Sequence, residues 1–287
     1  MPWWGTILGI AFALFLFYVY IVETRWLKFE RLQVKIAKPL LGDEISILHL
    51  SDTHFKKRDA RKVEIFRTLG RKQYDLILIT GDIIDDYHGN LSALKALSYL
   101  RARHGIYCVF GNHEYLHYRA HHGIQIILGR KFLIKKNPRL REFKEGIDAL
   151  GIHHLGNRHQ HLRELGVTLV GVDDFKAGMS RMEKAAENLS TEYFNILLAH
   201  HPDSLLAASP GQFDLALCGH THGGQMRLPF VGALFTDSKL PKHLAMGRVQ
   251  INGIDTYISR GFSSSRFMSP RFLCRPEITE IVLAAQA

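Results

Sequence analysis

Five short apolar runs, each ending in a polar cluster, constrain the fold of this chain more than any other feature. Helical patterns follow the first two clusters, at RKVEIFRTLGRK and LSALKALSYLRARH. Apolar runs of this length predict buried strands, and strands that alternate with helices predict an α/β fold. The runs and their clusters are EISILHL before SDTH (51–54), DLILIT before GDIID (81–85), GIYCVF before GNHE (111–114), FNILLA before HHPD (200–203) and DLALC before GHTH (219–222).

The clusters share one kind of chemistry, namely carboxylates, imidazoles and an amide. Ligands of α/β sheets bind beyond the carboxyl ends of the strands, so the five clusters are expected to converge. Because a strand alternates its faces, Asp52 and His54 are predicted to point the same way, as are His220 and His222. A single D-x-H or H-x-H pair is often only a turn. The complete set, with oxygen and imidazole donors, predicts a site for Mn, Fe or Zn.

The order D-x-H, GD-x-x-D, GNH-E, H, GH-x-H resembles the calcineurin-like metallophosphoesterases, from about Ile45 to the carboxyl terminus. The segments GHTHGGQMRLP, YISRG and RFLCRPEI resemble the membrane-associated branch of that family. That branch holds YkuE- and YaeI-type phosphodiesterases and chlamydial-type UDP-2,3-diacylglucosamine pyrophosphatases. The resemblance implies a four-layer α-β-β-α sandwich of two mixed sheets, and two divalent metal ions, with Mn expected first and Fe or Zn as alternatives.

The resemblance also implies roles for individual residues. His113 would be a non-ligand histidine beside the scissile phosphate, and metal-activated water would attack phosphorus in line. His200 is expected to be a ligand rather than its neighbour His201, although the adjacent pair leaves that choice open. The implied ligands are three for one ion, three for the other and one bridging carboxylate: Asp52, His54 and His222; Asn112, His200 and His220; and Asp82.

Two further side chains have open roles. Asp85 is predicted either to orient a ligand or to cap a helix. Arg271, in SPRFLCRPE, is predicted either to reach a substrate phosphate or to form a surface ion pair. The glycines around the ligands are expected to let a phosphate approach closely.

The amino-terminal segment predicts a membrane anchor. No charged side chain occurs in residues 1–22, and about twenty apolar residues cross a bilayer. A cleaved signal peptide would need a basic start and a small-residue cleavage site, which this segment lacks. We therefore expect an anchor at 1–24, a basic juxtamembrane segment with the first strand at 25–44, and the catalytic domain at 45–287. The basic residues all follow the span, which predicts a single-pass inner-membrane protein with its catalytic domain in the cytoplasm: Arg25, Lys28, Arg31, Lys35 and Lys38.

Two other segments bear on the substrate. Residues 116–142 mix apolar and basic side chains, which predicts either a lid for an acylated, anionic substrate or a charged surface helix pair. LPFVGALF, after the last cluster, is expected to lie at the membrane or to be a buried connection. Together with the anchor, these segments favour a partner that is an acylated, anionic nucleotide sugar among membrane lipids.

The sequence therefore predicts hydrolysis of UDP-2,3-diacylglucosamine to UMP and 2,3-diacylglucosamine 1-phosphate, a step of lipid A synthesis. A broader membrane-bound phosphodiesterase or phosphatase is the alternative. A nuclease would also explain the net charge of +10, but an integral anchor suits such an enzyme poorly and no nucleic acid is expected as a partner. A non-catalytic scaffold is disfavoured because every ligand position is filled.

Overall fold

A computed structural model describes residues 3–36, 38, 44–118, 134–264 and 270–285. Within them lie two six-stranded mixed sheets and two short ribbons. The strands are β1 (Lys28–Ile36), β2 (Glu44–Leu50), β3 (Leu76–Thr80), β4 (Ile106–Val109), β5 (Leu116–His117), β6 (Lys135–Lys136), β7 (Ile152–His154), β8 (Arg158–Leu162), β9 (Val167–Val172), β10 (Phe194–Ala199), β11 (Leu215–Cys218), β12 (Arg227–Leu228), β13 (Gly232–Ala233), β14 (Gly247–Ile251), β15 (Ile254–Ile258) and β16 (Glu277–Ala285). The α-helices are α1 (Trp3–Phe17), α2 (Ala60–Leu69), α3 (Asn90–Leu97), α4 (Asn112–Tyr115), α5 (Leu140–Ala149) and α6 (Met182–Ala185).

The first sheet has the order β1-β16-β2-β3-β4-β7 and the second the order β14-β15-β11-β10-β9-β8. In the first sheet β2, β3, β4 and β7 run parallel, and β16 is antiparallel to β2. In the second sheet β9, β10, β11 and β15 run parallel between antiparallel edge strands. The predicted fold of mixed sheets is confirmed, and each of the five apolar runs is a strand.

The inner faces of the two sheets share one buried core, which contains Ile47 and Leu78 from one sheet and Ile196 and Leu217 from the other. The outer face of the first sheet packs against helices, and Phe66 of α2 is completely buried there. The outer face of the second sheet is covered by the short helix α6 and the 3₁₀ segment Pro202–Ala207. The layers are therefore helix, sheet, sheet and a thin helical layer.

The basic segment that follows the anchor is a strand of the first sheet. Residues 28–36 pair with β16 in parallel register, so β1 is an edge strand. Glu30 forms ion pairs with Lys28 and Arg260, at 2.6 Å in each case. The first strand expected within 25–44 is therefore β1, whose backbone is bound to the sheet.

The amino-terminal helix continues beyond α1 through a π-helical turn, Tyr18–Val22, and a 3₁₀ turn, Glu23–Arg25. Among the described residues it is one helix of 23 residues, long and apolar enough to cross a membrane. Its last turns pack on the catalytic domain, where the Arg271 amide donates to the Val19 carbonyl at 2.9 Å. The Cys274 amide donates to Glu23 Oε1 at 2.5 Å. The helix end is therefore part of the folded core.

The predicted lid at 116–142 lies partly outside the described residues, which omit 119–133. Its described ends form a ribbon in which β5 pairs antiparallel with β6. Helix α5 begins at Leu140. The described ends of this segment are therefore a two-stranded ribbon and the first residues of α5, and the choice between a lid and a helix pair stays a prediction.

Candidate metal centre

The predicted ligands follow directly after five strands, and the carboxyl ends of those strands meet at one edge of the sandwich. Each ligand lies beyond the strand, so the expectation that strand alternation aligns them is wrong. Five of the seven predicted ligands instead have left-handed backbone, a conformation that costs an ordinary residue about 1–2 kcal/mol. Such strain concentrated at one place indicates a functional site. The positive φ angles are 51° for Asp52, 43° for His54, 49° for Asp82, 68° for His220 and 50° for His222.

One cluster joins Asp52, His54 and His222, whose donor atoms all lie within 4.8 Å of one another. His54 Nε2 is 3.2 Å from His222 Nε2. His222 Nε2 is 3.5 Å from Asp52 Oδ1, and all three residues are buried. Two imidazoles and a carboxylate at these distances suit a divalent metal ion.

A second cluster joins Asp82, His200 and His220. His200 Nε2 is 3.3 Å from Asp82 Oδ2 and 3.2 Å from His220 Nδ1. The same Asp82 Oδ2 is also 3.7 Å from His54 Nε2, in the first cluster. Asp82 therefore lies between the clusters, in the position expected of a bridging carboxylate.

The amide of Asn112 supports a metal ion beside the second cluster. Its Nδ2 donates to the Tyr118 hydroxyl at 3.0 Å, while its buried Oδ1 has no hydrogen-bond partner among the described residues. A buried amide oxygen without a partner is costly, and a hard cation accepts such an oxygen as a ligand. The donor set therefore fits divalent metal ions.

Hydrogen bonds fix which nitrogen of His200 and of His220 faces the centre. His200 Nδ1 donates to the Thr80 carbonyl at 2.8 Å, which leaves Nε2 toward Asp82. His220 Nε2 donates to the Asp237 carbonyl at 3.0 Å, which leaves Nδ1 toward His200. A metal ligand must present an unprotonated nitrogen, and these carbonyls preset that state.

Electrostatics of the centre also prepare it for a cation. Burial alone would raise the pKa of Asp82, but the adjacent His200 and His113 outweigh burial and hold that pKa well below its ordinary value. Burial opposes protonation of His200, yet Asp82 raises its pKa well above the ordinary value. Burial lowers the pKa of His222 to about 4, so its imidazole is neutral at pH 7. An imidazolium that pairs with a carboxylate marks the place where a cation can bind.

His113 lies at the rim of the two clusters. Its Nδ1 donates to the Asp85 carbonyl at 2.7 Å, and its Nε2 is 3.9 Å from Asp82 Oδ2. The ring stacks on Tyr118, with centroids 4.7 Å apart. The predicted helix cap falls to Asp86, which accepts from the His88 amide, and not to Asp85. Asp85 instead holds His113 through its carbonyl, with its carboxylate 3.7 Å from His54 Nδ1.

His201 points away from the centre that His200 joins. Its Nδ1 accepts from the Asp203 amide at 3.2 Å, and it belongs to neither of the two clusters. Its ring lies 4.0 Å from that of His220, between centroids. This placement supports His200 as the ligand, and the assignment of individual ligands to two ions stays a prediction.

Arg271 is completely buried, so the alternative of a surface ion pair is wrong. Its Nη2 donates to the carbonyls of Arg260 and Ser263, at 2.8 and 2.6 Å. The same Nη2 lies 3.3 Å from His222 Nδ1. Arg271 therefore supports His222. Its guanidinium is occupied by these contacts and is not free to reach a substrate.

The glycines of the motifs serve close packing of the ligand loops. A Cβ on Gly219 would overlap Ser51 Oγ and Asp52 Oδ2, and a Cβ on Gly111 would overlap Asp82 Oδ1. A Cβ on either glycine would therefore displace a ligand side chain, and the expectation that the glycines let a phosphate approach closely stays a prediction.

Sequence reasoning gave no role to Glu114, which ties two ligand loops together. Its buried carboxylate accepts the amides of Asp82 and Ile84, at 3.0 Å each, and of Gly111, at 2.7 Å. Burial, followed by the nearby Asp82, raises the pKa of Glu114 to about 8. The sequence signal for this role was the position of Glu114, two residues after Asn112, since a carboxylate in a first helical turn often binds backbone amides.

Comparison with known proteins identifies the class of this centre. A family model for calcineurin-like phosphoesterases matches residues 45–224. The uncharacterized metallophosphoesterase YkuE of Bacillus subtilis is 31% identical over 243 residues, which cover 84% of this chain and 77% of YkuE. Phosphodiesterase YaeI of Escherichia coli is 30% identical over 273 residues, which cover 93% of this chain and 92% of YaeI.

The chain therefore belongs to the calcineurin-like metallophosphoesterases and is a phosphoester hydrolase. A further relative, a transmembrane protein with metallophosphoesterase domain from Bos taurus, is 32% identical over 197 residues, which cover 64% of this chain and 41% of that protein. The amino-terminal helix of this chain is likewise a candidate membrane span.

Proposed function

We propose that this chain hydrolyses the phosphoanhydride of UDP-2,3-diacylglucosamine to UMP and 2,3-diacylglucosamine 1-phosphate at the cytoplasmic face of the inner membrane. The observation that carries the proposal is that one loop contacts both the amino-terminal helix and the metal centre. The loop that bonds to Val19 and Glu23 also holds Arg271, which lies 3.3 Å from His222. A site joined so closely to a membrane helix suits a substrate that is held in the same membrane.

Two bound divalent ions would supply Lewis-acid activation of the phosphoryl group and of water. Asp82 would help to hold the ions, and His200 and His220 have their ring protons held by carbonyls on the nitrogens that face away from Asp82 and from each other. His113, as the imidazolium with its Nδ1 proton on the Asp85 carbonyl, would give its Nε2 proton to the leaving oxygen and return to the neutral ring. No protein nucleophile is needed for this reaction.

A broader membrane-bound phosphodiesterase is the second candidate. It is favoured by the similarity to phosphodiesterase YaeI, with which this chain shares 30% identity over most of its length. The two candidates share the centre and differ in what the enzyme requires beyond the phosphoester.

One assay separates the candidates. The full chain, purified in detergent with Mn²⁺, is offered UDP-2,3-diacylglucosamine and, separately, bis-p-nitrophenyl phosphate. Release of UMP from the diacylated substrate supports the first proposal, and fast cleavage of the generic diester without UMP release would refute it. Asp82→Ala is the matched inactive variant for both substrates, because it removes the carboxylate that lies between the two clusters.

A further inference from the structure

The segment that follows the last metal motif exposes an unusual run of apolar side chains. Strands β12 and β13 form a short hairpin, and we call residues 227–235 the apolar hairpin. Phe230 at its tip is fully exposed and Val231 is 67% exposed. Leu228, Leu234 and Phe235 are each exposed by at least 40%. Contiguous exposed apolar surface of this kind marks an interaction site rather than ordinary solvent-facing surface.

The base of the apolar hairpin is attached to the anchor helix through Phe272. The Arg227 amide donates to the Phe272 carbonyl at 3.0 Å, and the Phe272 amide donates to the Gln225 carbonyl at 2.9 Å. The Phe272 ring packs edge-on against Phe15 of the anchor, with centroids 5.3 Å apart. A single residue thus lies between the hairpin and the apolar helix.

The position of the Phe15–Phe272 contact along the helix indicates its depth in a bilayer. Residues 3–22 are uncharged and, at about 1.5 Å per residue, span about 30 Å, the thickness of a hydrocarbon core. Phe15 lies seven residues before Val22, about 10 Å inside the end of that stretch. A bilayer that covers the whole stretch therefore extends beside Phe272. Leu273, on the same loop, is 49% exposed.

We propose that the apolar hairpin is a second membrane contact, which inserts its tip into the lipid beside the anchor. Lipid is the occupant because the exposed hairpin is continuous with the exposed apolar face of α1. Lys239 and Lys242 are exposed beyond the hairpin, and Lys242 Nζ donates to the Leu234 carbonyl at 2.6 Å. An apolar tip with a basic rim fits a surface of anionic headgroups.

Two-point attachment would hold the metal centre at the membrane surface. The hairpin begins five residues after His222, and Phe272 adjoins Arg271, which supports that histidine. The inference requires that the helix spans the membrane, but it holds for any phosphoester substrate and thus goes beyond the proposed function.

Labelling at single cysteines tests the inference directly, because Cys108, Cys218 and Cys274 are all buried. The full chain would carry an NBD fluorophore at Phe230→Cys or, as a second tip position, at Val231→Cys. It would be placed as single copies in nanodiscs with anionic lipid. Quenching is then measured with doxyl-labelled lipid from within the bilayer and with iodide from the water.

Two further positions serve as controls. A label at Phe12→Cys, on an exposed position of α1, reports whether the helix lies in the bilayer. A label at Leu206→Cys reports the aqueous side, because Leu206 is 53% exposed. Its neighbour Leu205 accepts a hydrogen bond from Asn252, in the turn between β14 and β15. That turn is at the end of the second sheet opposite the metal centre.

The tip labels are expected to behave like the label at position 12, with several-fold stronger quenching by doxyl lipid than at position 206 and matching protection from iodide. Tip labels that iodide quenches as strongly as at position 206 overturn the inference. So do tip labels that are shielded from iodide but not quenched by doxyl lipid, since that result means the hairpin packs against protein. These readouts use no substrate, so a failed UMP assay would refute the proposed function and leave this inference standing.

Discussion

Adding one methyl group at Gly219 should disable the metal centre without replacing a ligand. A Cβ there would overlap Ser51 Oγ and Asp52 Oδ2, far inside the 3.0 Å below which real Cβ atoms essentially never come. Relief requires a shift of roughly 1 Å, and a shift of that size at a reacting centre costs about 10²-fold in rate. Overpacking of this kind also destabilises a fold by about 1–3 kcal/mol.

The assay for Gly219→Ala is kcat/KM on bis-p-nitrophenyl phosphate, together with metal content by mass spectrometry. Gly146→Ala is the matched control, since a Cβ there meets only the flexible side chain of Leu94 and alanine favours a helix. Ser51→Ala combined with Gly219→Ala should restore part of the activity, because it removes one of the two clashes. Activity and metal content of Gly219→Ala within twofold of the parent would show that close packing does not position Asp52.

Three other predictions concern buried groups around the centre. Burial lowers the pKa of His49 to about 3, so its neutral form stabilises the fold above pH 6.5 and that contribution declines as the pH falls. At pH 5.5 the fold has lost about 1.4 kcal/mol of this stabilisation. His49→Gln should therefore show a smaller drop in Tm between pH 7.5 and 5.5 than the parent. An equal drop would contradict the reasoning. Glu114→Gln should lower the free energy of unfolding by about 1–3 kcal/mol because one buried amide loses its acceptor. The control Glu145→Gln, at an exposed position, should leave Tm unchanged. Equal Tm values for the two variants would refute the role of Glu114 as an acceptor for the ligand loops. Arg271→Lys should weaken metal binding beside His222, since lysine lacks the guanidinium fork. Excess metal should therefore restore activity. A variant with unaltered metal affinity would show that Arg271 does not support the ligand.

The sequence predicted the five strands that precede the polar clusters because they are mostly apolar and mostly buried on both faces. The run at residues 194–199, for example, is buried throughout and reads as a strand without any alternation. The order of the polar clusters along the chain was equally informative, because parallel neighbours bring their carboxyl ends to one edge.

The local geometry of the ligands was not predictable in the same way. Left-handed backbone at Asp52 and Asp82 is strained, and no propensity indicates it, because the surrounding loops impose it. The burial of Arg271 was missed for a related reason. Its partners are mostly backbone carbonyls, and backbone acceptors leave no trace in the sequence.

The hydrogen bonds at Val19 and Glu23 have a practical consequence for making a soluble enzyme. A fragment that begins at residue 25 would lose the partners of the Arg271 and Cys274 amides, and so would loosen the loop behind His222. A fragment that begins at residue 15 would keep both bonds and still discard most of the apolar helix. The boundary between the candidate membrane span and the enzyme is therefore inside the helix, and a cut at the end of the helix would remove residues that support the enzyme.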